Sequence, residues 1–318
     1  MCRSEALNEG STGLDRVSET SSIIHHRSDI RLPVAAPRLL SWFEFYLRGY
    51  LAKRLHAVRL SKASWSGDLS PAAAGPVVVY LNHPSWWDPL VCVMVCQKLM
   101  LGRRHFAAID AIALQKYKLF ERMGFFGVEQ NSPRGARDFL RVGSALLSEP
   151  DATVWLTAQG HFTDVRVRPV TLAPGIGHLA SRLCSKESRG TLLPVAVEYV
   201  YWQESKPEAL VRIGEPVRLE DHNELDARGW LTLLENRLQQ TMGALAIEAM
   251  SRDEAKFDTL VQGGSGVGGI YDVWRRIKAL ATGKRFVAAH AEQKPMQQAQ
   301  PPVQPPRQPH AQQEDARR

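Results

Sequence analysis

Short apolar runs alternate with helical patterns along the middle of the chain. Runs rich in β-branched and aromatic residues predict strands at 77–80, 105–109, 125–128, 152–157, 192–201 and 209–213. Apolar residues recur at helical spacing in the segments 86–96, 111–123, 133–147 and 175–183. This alternation predicts an α/β fold with a mostly parallel central sheet flanked by helices.

Amphipathic segments precede and follow this α/β region. From Pro37 to Arg59, apolar and aromatic residues recur at helical spacing, and cations fill the other faces. That pattern is typical of a helix in the membrane interface, and also of a helix packed on its own domain. A second long amphipathic helix is predicted around 231–249, and a basic helix at 271–280. We therefore expect a disordered N terminus (1–32), an amphipathic membrane-interface helix (33–66), an α/β domain (67–220), a C-terminal helical extension (221–290) and a disordered Pro- and Gln-rich tail (291–318).

The net charge of the chain limits the classes of binding partner that it favours. The net charge of +7 predicts an anionic partner, such as nucleic acid, acidic lipid or an acidic substrate. The basic residues are spread out and the aromatic residues have apolar neighbours, which argues against nucleic acid. No apolar run reaches the roughly 18 residues of a membrane-spanning helix, and no signal peptide is recognisable. The four scattered cysteines indicate a reducing compartment. We expect a peripheral protein on the cytoplasmic face of an anionic membrane.

The segment from Tyr80 to Leu90 carries the candidate chemistry. His83 and Asp88 lie where the predicted strand ends and a helix begins. Five residues apart on one helix they would point away from each other, so contact requires His83 in the turn and Asp88 in the first helical turn. Asp88 then accepts a hydrogen bond from one imidazole nitrogen and leaves the other as a general base. Alternatively, Asp88 only caps the helix, in a capping box with Ser85 as the N-cap.

Two further patterns predict no site. Cys92 and Cys96 lie four apart on an apolar helix without further metal ligands nearby, so core packing is the better interpretation and no metal is expected. The glycine cluster at 263–269 contains G-x-G-x-x-G, but the acidic residue that a dinucleotide site needs is missing from a suitable place. A flexible turn between two helices explains it better.

The chain resembles the glycerolipid acyltransferase superfamily, the lysophosphatidic acid acyltransferase-like group with a His-x4-Asp motif. The resemblance spans about residues 42–217 and is carried by blocks in the order typical of the family. These blocks are 82–88 with His83 and Asp88, 124–128, 156–161, 193–197 and the segment 211–216.

The resemblance implies transfer of an acyl group from acyl-CoA or acyl carrier protein, as a co-substrate, to a hydroxyl of a lysophospholipid or other lipid. His83 would be the general base and Asp88 would orient it, with no acyl-enzyme and no cofactor. The candidate substrate-binding residues near them are Asn82, Gln159, Gly160 and His161.

The chain departs from the family pattern at two blocks. In the third block, Gln159 and Phe162 stand where the family has a glutamate and an arginine, and the second block lacks its arginine. Such arginines are thought to hold the phosphate of the acceptor. Either other cations replace them, or the acceptor lacks a terminal phosphate. The candidate replacements are Arg134, Arg137, Arg166 and Arg168.

Two alternative functions stay open at this stage. A catalytically degenerate lipid-binding membrane protein would explain the missing arginines. A thioester hydrolase would use His83 to activate water in place of a lipid hydroxyl.

Overall fold

The computed structural model describes residues 32–33, 37–100, 102–184 and 189–264. The predictions for residues 1–31, for the glycine cluster beyond Gly264, for the basic helix at 271–280 and for the tail lie outside the described residues.

One mixed sheet forms the centre of the described chain. Its strands are β1 (Ala57–Ser61), β2 (Val77–Leu81), β3 (Arg104–Asp110), β4 (Phe125–Val128), β5 (Ala152–Thr157), β6 (Thr191–Val200), β7 (Glu208–Ile213), β8 (Val217–Arg218) and β9 (Phe257–Gln262). The strand order is β4-β3-β5-β2-β6-β7-β1-β9, and β8 pairs with β6. The α/β fold with a mostly parallel central sheet is confirmed.

Strands β4, β3, β5, β2 and β6 are parallel to their neighbours in this order. Their carboxyl ends therefore meet at one edge of the sheet, which we call the carboxyl edge, defined by Leu81, Thr157 and Val200. The other pairs, β6–β7, β6–β8 and β1–β9, are antiparallel, while β1 and β7 are parallel. Ligands of open α/β sheets bind at such carboxyl ends.

Helices cover both faces of the sheet. They are α1 (Pro37–Arg54), α2 (Pro71–Ala74), α3 (Asp88–Leu99), α4 (Ala111–Lys116), α5 (Pro133–Leu146), α6 (Gly175–Cys184) and α7 (Ala227–Ser251). Buried residues of α1 and α3 form one apolar core on the sheet, and those of α5, α6 and α7 form another. Because strand side chains alternate between faces, β2 contributes Tyr80 to one core and Val79 to the other.

The predicted helix from Pro37 to Arg59 is wrong beyond Arg54. Residues 57–61 form β1, a fully buried strand between β7 and β9. Buried Arg59 bonds to Glu208 of β7, so a cation that helical spacing places on an outer face points into the protein. The predicted helix 111–123 is also wrong in its second half, because α4 ends at Lys116 and a 3₁₀ turn, Phe120–Arg122, follows.

Helix α1 has two apolar surfaces with different environments. Leu47 and Leu51, with Leu55 just after the helix, are buried in the core with α3, whereas Trp42 and Phe45 are exposed. None of the helices in the described part of the chain has both the length and the hydropathy needed to cross a bilayer.

Candidate active site

His83 and Asp88 contact each other at the carboxyl edge. His83 lies in the turn after β2, and Asp88 is the first residue of α3. The imidazole Nδ1 is 2.7 Å from Asp88 Oδ2. The two side chains meet despite their spacing of five residues, because only Asp88 is helical and His83 lies in the preceding turn.

Asp88 is fully buried and accepts hydrogen bonds on both oxygens. Oδ2 accepts from His83 Nδ1 and, at 3.1 Å, from the backbone N–H of Ser85. Oδ1 accepts from the hydroxyl of Tyr199 at 2.7 Å. The alternative in which Asp88 only caps the helix is therefore wrong, because the carboxylate contacts the imidazole and also accepts from the Ser85 N–H in the turn before α3. Ser85 is not the N-cap; its Oγ accepts from Trp87 N, just outside the helix.

The hydrogen bond to Asp88 fixes the tautomer of His83. An ionised carboxylate only accepts, so Nδ1 carries the proton and Nε2 presents a lone pair. The side chain of His83 is 16% exposed, which leaves the ring accessible while its partner is buried. A partly exposed imidazole with a lone pair on one nitrogen and a buried carboxylate on the other is equipped to accept a proton from a hydroxyl.

Backbone contacts hold His83 to the neighbouring strands. The amide side chain of Gln159, just after β5, accepts from His83 N at 2.8 Å, and His83 O accepts from Thr163 N at 2.9 Å. Asn82 is buried and bonds both N–H and C=O of Val197 in β6. The side chains of Asn82 and Gln159 are thus used to fix the turn, and their predicted contact with substrate stays a prediction.

The loop after β5, residues 158–174, forms one wall of the site. The ring of Phe162 lies 4.4 Å from the imidazole of His83, measured between centroids, and is 61% exposed. The loop is tied to α7, because Val170 N donates to Gln239 and Leu172 N donates to Glu235. Phe162 therefore stands beside the candidate base, at the place where the family resemblance expects an arginine.

The remaining predicted residues are spread along the edge. Gly160 has a φ of 75°, a left-handed conformation that a turn residue other than glycine adopts with strain. Exposed His161 follows it. Exposed Arg166 donates from two of its three guanidinium nitrogens, Nε and Nη2, to Asp164 of its own loop.

Arg134 and Arg137 lie in the first turn of α5, which follows β4. Strand β4 is three places from β2, roughly 14 Å at the usual strand spacing. Both side chains are exposed, and Arg134 pairs with Asp138. Strand order therefore sets Arg134 and Arg137 apart from His83.

Tyr199 is the contact that sequence reasoning missed. Burial, and then the charge of Asp88, raise the pKa of its phenol, so it is a hydrogen-bond donor throughout the physiological range. Burial and Asp88 also raise the pKa of the Cys92 thiol, one helical turn beyond Asp88. A tyrosine inside a strand is common, so the sequence carries no separate signal for this role.

Among the described residues, no group of three or more His, Cys, Asp or Glu side chains is arranged to hold a metal ion. The chain matches no protein-family model, and no curated protein is significantly similar to it.

Proposed function

We propose that this protein is an acyltransferase that moves a fatty acyl group from acyl-CoA or acyl carrier protein to a hydroxyl of a lysophospholipid or other lipid. The observation that carries the proposal is the 2.7 Å contact between His83 Nδ1 and buried Asp88, which leaves the lone pair of Nε2 available as a base. The ordered blocks of the His-x4-Asp resemblance add the reaction class.

The proposed reaction needs one base and no covalent intermediate. Nε2 of His83 takes the proton of the acceptor hydroxyl, and the oxygen attacks the thioester carbonyl. The tetrahedral intermediate collapses, the C–S bond breaks, and the thiolate takes the proton from the imidazolium. Asp88 stabilises the positive imidazole between these two transfers, as a buried carboxylate does in a histidine-based relay.

The loop 158–174 favours an acceptor that is apolar beside its reactive hydroxyl. Phe162 contacts the imidazole ring, and the guanidinium of Arg166 is bound to Asp164. A lipid alcohol can place hydrocarbon against Phe162, whereas a phosphate there would lose hydration beside an aromatic ring.

Helix α1 supports peripheral binding to the cytoplasmic face of an anionic membrane. Exposed Trp42 and Tyr46 begin a row of ring contacts that continues through half-buried Tyr50 to half-buried Trp87, beside the turn of His83. Exposed Trp86 lies next to Trp87. Aromatic side chains of this kind suit the lipid headgroup region.

Transfer of a labelled acyl group to lipids in vesicles tests the function. His83→Ala should lower the rate about 10²- to 10⁴-fold, because the base is lost. His178→Ala, which removes an exposed histidine of α6, is the matched control and should retain activity. Equal rates for wild type and His83→Ala would refute the proposal.

The products of the same assay separate the alternatives. Release of free fatty acid at a rate independent of acceptor identifies a thioester hydrolase. Vesicle binding without any turnover across varied acceptors and both donors identifies a lipid-binding protein.

A further inference from the structure

The carboxylate of Asp88 is held by a donor that the proposed reaction does not use. Tyr199, near the end of β6, donates to Oδ1, while His83 and the Ser85 N–H donate to Oδ2. Asp88 is fully buried, so these donors stabilise its charge in place of bulk water. The contact also joins β6 to the first turn of α3, 111 residues apart in sequence.

We propose that Tyr199 is a positioning residue that sets the strength of His83 as a base through Asp88, an inference that rests on the proposed function. The phenol fixes the plane of the carboxylate, so that Oδ2 stays aligned with Nδ1. It also draws part of the negative charge toward Oδ1, away from the imidazole.

No other titratable side chain among the described neighbours of this pair draws the charge of Asp88 away from the imidazole. The titratable groups that face Asp88 are His83, Tyr199 and Cys92. Cys92 is buried with a raised pKa and so remains a neutral thiol. From α1, the nearest ring contact is made by Tyr50, which reaches Trp87. The hydroxyl of Tyr199, which also interacts with the side chain of Ser85, is therefore the group to remove.

Removing that hydroxyl should change the protonation of His83 in a defined direction. In Tyr199→Phe the whole charge of Asp88 acts on the imidazole, which favours imidazolium. The pH midpoint at which His83 takes up a proton should rise by about half to one pH unit, given the strength of hydrogen bonds to charged groups. The acid limb of kcat/KM should move upward with it. The value of kcat should fall several-fold, because Asp88 is released to rotate, while KM changes little.

An NMR pH titration of the His83 ring protons, with the pH profile of kcat/KM, tests the proposal on the full-length protein. Tyr80→Phe is the matched control. Tyr80 is a buried tyrosine of neighbouring β2, and its hydroxyl has no hydrogen-bond partner among the residues that the structure describes. Its loss should leave both readouts unchanged.

A His83 midpoint that stays at the wild-type value, or falls, in Tyr199→Phe would overturn the proposal. A second measurement covers the case in which that variant folds poorly. Replacing tyrosine throughout by 3-fluorotyrosine, a stronger donor of similar size, should shift the midpoint downward, and no shift or an upward shift would also overturn it. The titration needs no turnover. A shifted midpoint without acyl transfer would therefore refute the proposed reaction and leave the link between Tyr199 and His83 standing.

Discussion

Arg59 and Glu208 form the most buried ion pair in the described part of the chain. Arg59 Nε bonds to Glu208, and its other nitrogens bond to Thr259 at 3.0 Å and to Glu254 at 3.0 Å. Glu208 is 1% exposed, so both charges have left water and depend on each other. The pair joins β7, β1 and the segment around β9, which makes it a structural counterpart of the His83–Asp88 pair.

Glu208→Gln should lower the free energy of unfolding by about 1.5–3 kcal/mol, because Arg59 loses its buried charged partner and keeps only the ion pair with Glu254. Chemical denaturation followed by circular dichroism measures the change. Asp164→Asn is the control, since the Asp164–Arg166 pair is exposed to solvent and its loss should leave the midpoint unchanged. A variant as stable as wild type would show that the attraction between Arg59 and Glu208 only offsets the free energy of desolvating them, so that the pair makes no net contribution to stability.

Helix α1 shows how far sequence patterns reach at the scale of elements. Its helical spacing predicted the helix but left open whether its apolar stripe packs inside or faces a membrane. Leu47 and Leu51 pack inside, while Trp42 and Phe45 remain outside. The predicted helix also ran on into β1, because Arg59 fits the cationic face of a helix until the partner strands of β1 are known.

The candidate site likewise contains residues that could be predicted from the sequence and residues that could not. His83 and Asp88 were predictable, because a strand end followed by a turn fixes their local geometry. Tyr199 was not predictable, because its contact depends on β6 lying beside β2, a pairing between residues far apart in sequence. The predicted arginines were chosen by charge alone, and strand order sets Arg134 and Arg137 away from β2.

The exposed aromatic residues Trp42 and Phe45 of α1 predict a loss of vesicle binding that is specific to this surface. A Trp42→Ala/Phe45→Ala double variant should partition at least tenfold more weakly onto vesicles with anionic lipid, since burying one large apolar side chain stabilises by about 1.5–3 kcal/mol. Vesicle co-sedimentation measures it. Ile247→Ala/Met250→Ala, which removes two exposed apolar residues of α7, is the control and should bind normally. Equal losses of vesicle binding in both double variants would show that binding depends on exposed apolar area in general and not on α1.

At the scale of the whole molecule, the partly buried His105 makes stability depend on pH below neutrality. Burial is the main cause that lowers the pKa of His105 to about 4, helped by the charge of Arg103 and opposed by the bond to Met100 O. Trp155 Nε1 donates to its Nδ1 at 3.2 Å, so the native ring is neutral and donates from Nε2. The unfolded chain, with a histidine pKa near 6.5, takes up the proton first.

The free energy of unfolding should therefore decrease as pH falls from about 6.5 to about 4, by about 3 kcal/mol from this residue, and level off below that range. Urea denaturation at a series of pH values measures the slope. In His105→Gln the side chain no longer titrates, so the contribution should disappear from the slope even if the variant is less stable throughout. An unchanged slope in His105→Gln would show that another group causes the pH dependence of the free energy of unfolding.

Asp88 begins helix α3 and also holds the imidazole of His83. Because one carboxylate does both, losing it opens the turn and releases the imidazole together. Under mild denaturant, the proposed acyl transfer and the order of this turn should therefore be lost over the same range of denaturant concentration.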